Sequence, residues 1–466
     1  MNAPFVTVTA PPSKSLSHRA LIAAGLANGV SVVRNVLRSV DLAITRGCLE
    51  AGGVEITELD GGGLRVTGRP GGLTGGELRD GAAPVLLEVH ESGTTCRLIT
   101  AVAAAGHGVF EVRGAPRMHE RPIGSLAQAL HSLGAEVQWL EKEGYPPLRV
   151  LTAGLTGGLA SVSLEESSQY LSGLLLAAPL AHKPTVLEIG GSKVVSWPYV
   201  SLTLQVMEDF GVQFHVMKLA EKGVRGREPK FLPVPWREIE EARPGELRLA
   251  VQPASYWPRE YSVEGDWSSA SYFLAAGAIG PAVAVAGLRP DSAQGDRAMC
   301  DILAAMGAPV SVEDGLIVSR PPAQGTLHGA ELDMGRCPDL VPTVAALAAF
   351  AQGETVIRNV AHLRIKESDR LAAAAANLER AGASAELLED GIRIIPPKEG
   401  RAGFASGAVD FGSYGDHRMA MSASIYGLAG IDVRLDDTSC VSKSFPDFFT
   451  RWAPVLAAAG SRRAGA

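Results

Sequence analysis

One phrase recurs six times along this chain, and it restricts the possible folds more than any other feature. A polar start leads into an apolar, helix-like run, then a Gly or Pro break, then a short alternating strand. The phrase reads SHRALIAAGLANGVSVVRNV from Ser17, TTCRLITAVAAAGHGVFEVRG from Thr94 and SSQYLSGLLLAAPLAHKPTVLEIGG from Ser167. It returns as SSASYFLAAGAIGPAVAVAGL from Ser268, LVPTVAALAAFAQGETVIRNV from Leu340 and DHRMAMSASIYGLAGIDVRL from Asp416. A second phrase lies between the copies: an amphipathic helix, a Gly near its end and a short strand, as in SLAQALHSLGAEVQWL. There Leu126, Leu130 and Leu133 recur at helical spacing, and Gly134 suits the left-handed position that closes a helix.

The copies are separated by 77, 73, 101, 72 and 76 residues. Only the third gap is long. Its extra length covers roughly 216–257, is rich in Pro, Glu and Arg, and reads as the passage between two domains. A chain of 466 residues is in any case too long for one ordinary core. Three α/β units per domain, each sharing a core with its neighbours, predict closure around a pseudo-threefold axis rather than an open rod.

The formal net charge is −7, with no clustered basic patch, which argues against a nucleic-acid partner. The five cysteines are widely spaced and match no metal-ligand spacing, so idle thiols in a reducing compartment are expected. The N-terminus shows no secretory pattern, and the apolar stretches are too short to span a bilayer. A cytoplasmic location is the expectation, with neither membrane nor nucleic acid as partner.

The Lys and Arg residues sit in short polar motifs at helix starts, where unpaired N–H groups and the helix dipole attract anions. PPSKSLSHRA sets Lys14 and Arg19 among Ser13, Ser15 and Ser17, either as an anion clamp or as a solvated helix start. ESGTTCRL offers Gly93 and Thr94 as backbone donors, with Arg97 one turn further on in a structural or a binding role. APRMHERPIG carries Arg117 and Arg121, either as anion ligands or as surface arginines pairing with Glu120; EESSQYL carries Ser167, Ser168 and Gln169 as caps or ligands. In RCPDLVPT, Asp339 is either an N-cap or a catalytic carboxylate. HLRIKESDRLAAA packs Arg364, Lys366, Glu367, Asp369 and Arg370 together, and Lys366 and Arg370 have the spacing of one helix face. YGDHRMAM adds Asp416, His417 and Arg418, and CVSKSFPDFF adds Lys443. Many cations around few carboxylates suit a reaction between two anionic partners. No GxSxG, HExxH, GxGxxG or GxxxxGK[ST] motif is present.

SKSLSHRA, SGTTCR, PRMHERPIG, SSQYL, EGDWSSASYF, CPD, RIKESDRL, GDHRMAM and KSFPDFF follow one another over nearly the whole chain. In that order they resemble the 5-enolpyruvylshikimate-3-phosphate synthases, the 3-phosphoshikimate 1-carboxyvinyltransferases. The resemblance implies transfer of the enolpyruvyl group of phosphoenolpyruvate to the 5-hydroxyl of shikimate 3-phosphate, by addition and elimination through a tetrahedral intermediate. It implies no organic cofactor, no obligatory metal and a monomer. It also implies an α/β fold of two inside-out domains of three repeats each, closing over a site in the interdomain cleft. The boundaries expected here are 13–245 for the first domain, and 1–12 with 246–466 for the second.

Carried over by motif, Lys14, Ser15, Arg19, Ser167, Ser168, Gln169, Ser196, Asp339, His362 and Lys366 resemble the shikimate 3-phosphate ligands. Lys14, Gly93, Arg121, Gln169, Arg370, Arg418 and Lys443 resemble the phosphoenolpyruvate ligands. Asp339 matches the general base; Glu367 matches the carboxyl that exchanges protons with the methylene carbon, a role for which Lys14 competes. Three positions depart from the family pattern: Glu91 stands where an Asn is usual, His362 where some members have Asn, and Trp267 where a small residue is usual. The related transferases acting on UDP-N-acetylglucosamine usually begin their site with Lys–Asn and often carry a reactive loop Cys. Here Ser15 follows Lys14, and the PRMHER loop has no Cys. A non-catalytic homologue that only binds anionic metabolites would not need Asp339 and Glu367 together.

Overall fold

The computed structural model of the protein describes residues 5–79, 82–221 and 229–464. Its repeating element is strand–helix–strand–helix–strand–strand. The second copy shows the plan in full: Val85–His90, helix Gly93–Ala104, Gly108–Gly114, helix Gly124–Ser132, Glu136–Trp139 and Leu148–Thr152. The first two strands pair in parallel, and the last two form an antiparallel hairpin whose return strand docks beside the second. Four four-stranded sheets follow this order. The third copy adds an edge strand, Lys230–Pro233, and the sixth has only its two parallel strands, Ala408–Phe411 and Asp432–Leu435.

The chain divides into two units of three copies each, one from Lys14 to Val263 and one built from the residues up to Ser13 together with Glu264–Ala466. Each unit opens with a strand from elsewhere in the sequence. Glu260–Ser262 supplies the missing parallel strand beside Val30–Arg34, and Val6–Thr9 does so beside Val283–Ala286. The expected passage at 245/246 therefore lies too early. Strand Leu247–Val251 pairs with both Thr185–Val194 and Phe214–Glu221, and Glu260–Ser262 also belongs to the first unit. The Pro-, Glu- and Arg-rich stretch is thus no simple linker, since it contributes three strands to one sheet of the first unit. The sequence reading missed the return strands and the leading strands because each is too short to show a period.

In every copy the first helix is buried on nearly all sides, enclosed by its own unit, with most of its polar residues toward its start. All residues of Trp267–Ile279, Val341–Ala348 and His417–Ala423 are buried, and Lys14–Gly25 is buried from Leu16 onward. The second helices are amphipathic and lie outside. None of the described helices is long and apolar enough to cross a membrane.

The second helices end alike in five copies. Gly53, Gly134, Gly211, Gly307 and Gly382 all have positive φ, between 79° and 98°. The next N–H reaches back to the carbonyl five residues earlier: Val54 to Leu49, Ala135 to Leu130, Val212 to Met207, Ala308 to Leu303 and Ala383 to Leu378. This is the Schellman closure, and it turns the chain directly into a strand. Gly134 accordingly takes the left-handed position expected for it.

A test separates backbone conformation from crowding. Gly315 has positive φ with open space around it, whereas a Cβ at Gly382 would lie 2.6 Å from the Gly403 carbonyl oxygen. Gly315→Ala should cost about 1 kcal/mol, the ordinary penalty for a left-handed L-residue, and Gly382→Ala clearly more. Urea midpoints of the two variants check this; equal midpoints would show that the carbonyl contact carries no cost.

Candidate active site

Because the first two strands of each copy run parallel, both helices of a copy start at the carboxyl ends of those strands, where α/β sheets bind ligands. The site residues expected from sequence fall at these starts. First helices begin at or near Lys14, Gly93, Gln169, Trp267, Asp339 and Arg418; second helices follow Arg121, Ser196 and Glu367. Each copy thus delivers side chains to one end of its own unit. The two units carry one cluster each.

In the unit containing 264–466, Arg370 is the organising group. Asp369 caps its helix, accepting from the N–H groups of Leu371 and Ala372, so that Arg370 is the first helical residue. The guanidinium is 2% exposed and meets three carboxylates. Nε lies 2.7 Å from Asp416 Oδ2, Nη1 3.0 Å from Asp339 Oδ1 and Nη2 2.9 Å from Glu367 Oε2. Burial alone would weaken its charge, but Asp416, Glu367 and Asp339 together hold its pKa above the ordinary value. Asp416 is fully buried and serves twice, since it also caps its own helix by accepting from the Arg418 N–H at 2.9 Å. Arg418 then reaches Asp339 Oδ2 at 2.8 Å and donates to Ser268. Lys443 Nζ stands 3.8 Å from Glu367 Oε1. Five expected residues, Asp339, Glu367, Arg370, Arg418 and Lys443, are therefore one ion-paired network.

Asp339 lies in the turn Pro338–Leu340, and the N-cap positions of that turn and of the helix after it fall to Cys337 and Leu340, which removes the N-cap alternative. Lys366 and Arg370 do not share a helix face. Lys366 is extended, with ψ −155°, because the Asp369 cap delays the helix start until Arg370. His362 is buried in the turn Ala361–Ile365. Trp267 is absorbed by the core: its ring is buried and its indole N–H donates to the Arg289 carbonyl at 3.1 Å.

In the unit containing 14–263, Lys14 begins the first helix and pairs with the buried Asp41 at 3.1 Å. Arg19 is 1% exposed. It donates to Thr203 at 2.7 Å, to the Ser15 and Tyr199 carbonyls at 2.9 Å and to Ser172 at 3.2 Å. Burial lowers its pKa to about 10. Arg19 thus braces the backbone beneath Ser15. Gly93 and Arg121 meet directly: a Cβ on Gly93 would lie 2.6 Å from the Arg121 guanidinium. Two groups fix the loop that presents Arg121, since Arg97 and the Tyr170 hydroxyl both donate to the Pro122 carbonyl, at 3.0 and 2.6 Å. Arg97 is therefore structural. Gln169 Nε2 donates to Thr94 Oγ1 at 3.0 Å, tying the second and third helix starts together. Ser168 is buried, and Ser196 is buried with φ +57°, a conformation a non-glycine residue adopts at some cost. Glu91 is exposed, ahead of the Ser92 cap.

The sequence reading passed over Asp41, Ser268 and Asp296. A register of the six copies would have found two of them: Ser268, like Ser15, is second in its first helix, and Asp296, like Arg121 and Glu367, stands three residues before its second helix. Asp296 is buried just before the second helix of its copy, Met299–Ala305. Its carboxyl is pushed up to about 7 by burial first and then by Asp339 and Asp266, against Arg418 and a hydrogen bond from Ser268. Chemically, this unit offers two carboxylates, Asp339 and Glu367, held apart on one guanidinium, with two more cations beside them. An incoming anion competes with them for the same N–H groups, which suits acid–base work on an anionic substrate.

Comparison with known proteins points one way. The family model described as EPSP synthase (3-phosphoshikimate 1-carboxyvinyltransferase) matches residues 6–230 and 238–452. A 3-phosphoshikimate 1-carboxyvinyltransferase of Thiobacillus denitrificans is 40% identical over 450 residues, covering 96% of both chains. One from Methanosphaerula palustris is 41% identical over 457 residues, 97% of this chain and 96% of that one. Among solved structures, an EPSP synthase from Acinetobacter baumannii superposes with a TM-score of 0.72 at 25% identity, over 96% of this chain and 95% of its own. The enolpyruvyl transferase NikO of Streptomyces tendae shares the fold, with a TM-score of 0.65 at 17% identity over 97% and 94%.

Asp296 yields a pH prediction. Its folded pKa of about 7 lies above the ordinary 3.8, so between those values the folded state holds more protons than the unfolded state. Stability from this group therefore falls as pH rises from about 4 to about 7 and is level beyond. Asp296→Asn mimics the neutral acid at every pH. The melting temperature of the variant relative to wild type should become more positive across that window; a difference independent of pH would contradict the assignment.

Proposed function

The chain belongs to the family of EPSP synthases, the 3-phosphoshikimate 1-carboxyvinyltransferases, and from that premise we propose how its side chains divide the work. The enzyme transfers the enolpyruvyl group of phosphoenolpyruvate to the 5-hydroxyl of shikimate 3-phosphate and releases phosphate, a step of aromatic amino-acid biosynthesis.

In the addition step the 5-hydroxyl oxygen bonds to C2 of phosphoenolpyruvate, the hydroxyl proton leaves to a base, and C3 gains a proton. In the elimination step the C2–O bond to phosphate breaks as C3 returns a proton. Asp339 is the base for the hydroxyl, and Glu367 is the carrier at C3. The observation that carries this reading is the single guanidinium of Arg370 holding both carboxylates, at 3.0 and 2.9 Å. Arg370, Arg418, Lys443, Arg121, Lys14, Gln169 and the Gly93 N–H take phosphoenolpyruvate. Lys14, Ser15, Ser167, Ser168, Gln169, Ser196, Asp339, His362 and Lys366 take shikimate 3-phosphate, with Arg19 bracing Ser15. Lys14 is the rival proton donor at C3, because an ammonium at a helix start also reaches toward anions. The same reading makes the enzyme a cytoplasmic monomer without membrane or nucleic-acid partners. Its five free cysteines and net charge of −7 fit that setting.

Phosphate release in the presence of both substrates is the direct assay, and replacing shikimate 3-phosphate by UDP-N-acetylglucosamine should abolish release. Asp339→Asn keeps size but cannot accept the proton, so turnover should fall by about 100-fold or more while shikimate 3-phosphate still binds. Near-wild-type turnover at saturation would remove Asp339 from the base role. In the companion variant Glu367→Gln, solvent deuterium entering the methylene group of phosphoenolpyruvate should stop along with turnover. Exchange that continues at the wild-type rate would transfer the role to Lys14.

A further inference from the structure

Behind Lys14 and Gly93 lies a chain of buried side chains that the reaction does not consume. His18, one turn after Lys14 on the same helix, lies with Nδ1 2.7 Å from Thr45 Oγ1. Thr45 Oγ1 lies 2.6 Å from Thr95 Oγ1, and Thr95 Oγ1 lies 2.7 Å from Ser92 Oγ. Ser92 caps the helix Gly93–Ala104. All four residues are fully buried. Thr45 also lies one turn after Asp41 on helix Val40–Ala51, so one helix face presents both the Lys14 partner and the link to the Gly93 helix.

Plain core packing does not account for this chain. His18 Nε2 is buried without a hydrogen-bond partner, and an unpaired buried polar atom is costly. Apolar side chains of similar shape would fill the space at lower cost. Burial, then the neighbouring Lys14 and Arg19 charges, hold the His18 pKa well below its ordinary value, so the ring is neutral. A neutral imidazole offers one donor and one acceptor, so the chain of hydroxyls can be ordered in one direction from end to end. Such a link fixes distance and orientation between helix starts more narrowly than apolar contact, which tolerates sliding.

We propose that the His18–Thr45–Thr95–Ser92 chain is a positioning device that sets the Gly93 helix start against Lys14, so that both meet the same phosphoenolpyruvate molecule. Thr45 and Thr95 are its positioning residues; neither touches substrate. The proposal rests on the reading of Lys14 and Gly93 as phosphoenolpyruvate ligands, and its test keeps the two apart. Thr45→Val and Thr95→Val each remove one hydroxyl while keeping the branched shape. Thr45→Ser keeps the hydroxyl.

Steady-state kinetics with each substrate varied in turn provide the readout, with near-ultraviolet circular dichroism confirming the fold. Thr45→Val should raise the KM for phosphoenolpyruvate by about fivefold or more and leave that for shikimate 3-phosphate within about twofold; Thr45→Ser should restore wild-type values. Unchanged KM for phosphoenolpyruvate in the folded Val variants overturns the proposal. A parallel rise in both KM values overturns it too, because that marks general loosening. Should Thr45→Val not fold, Thr95→Val carries the same comparison, since its backbone N–H still reaches Ser92. Lys14→Met is the control. If Lys14→Met leaves phosphoenolpyruvate kinetics untouched, the ligand reading itself fails. If Lys14→Met weakens them and the Thr variants do not, only the positioning role falls.

Discussion

Burying an arginine is expensive unless every face of its guanidinium finds a partner, and the unit containing 264–466 is built to provide them. Arg370 meets Asp416, Asp339 and Glu367 from three directions. Each carboxylate comes from a different helix start, so this one side chain fixes three segments at once. Asp416 completes the arrangement by capping the helix that delivers Arg418 back onto Asp339. Truncating one member of such a buried network typically costs about 3–5 kcal/mol, mostly because it strands the others. The same feature positions the two carboxylates that we propose for the acid–base work. Two carboxylates on separate nitrogens of one cation are held apart and aligned before a substrate arrives.

The fold explains why these residues converge. A copy with two parallel strands sends both helices off from the same sheet end, and three copies per unit multiply the effect. The site therefore needs no long loops. Short turns such as Pro338–Leu340 and Ala361–Ile365 suffice, since the helix starts already bring the proposed ligand groups to one end of the unit. In the unit containing 14–263, backbone closeness does comparable work: the Arg121 guanidinium occupies the space that a Cβ on Gly93 would need, and the Pro122 carbonyl is fixed from two sides.

Much of this was legible in the sequence, for physical reasons. The buried first helices and the Gly-closed second helices have patterns long enough to read, so six copies in two sets are visible in the sequence itself. The leading and return strands are not, because three to seven residues carry no clear period; Glu260–Ser262 has only three. That gap misplaced the boundary between the units, since a sheet claims its strands through hydrogen bonds that composition does not reveal. Among site residues, motif resemblance led to Asp339, Glu367, Arg370, Arg418 and Lys443. It could not show that Asp369 delays the helix and so separates Lys366 from Arg370. Asp41 and Asp296 were missed because single carboxylates near helix starts are commonplace; only their burial beside Lys14 and Asp339 distinguishes them.

In the proposed division of roles, turnover depends on the fork of Arg370 rather than on its charge, and Arg370→Lys separates the two. Lysine keeps the positive charge but cannot hold three carboxylates in fixed directions. The measurement is the rate of phosphate release at saturating phosphoenolpyruvate and shikimate 3-phosphate, on protein whose near-ultraviolet circular dichroism matches wild type. A fall in kcat of about 100-fold or more, equivalent to losing about 2.7 kcal/mol of transition-state stabilisation, is the predicted result. A folded Arg370→Lys enzyme turning over within about threefold of wild type would show that charge alone is enough, and would contradict the account.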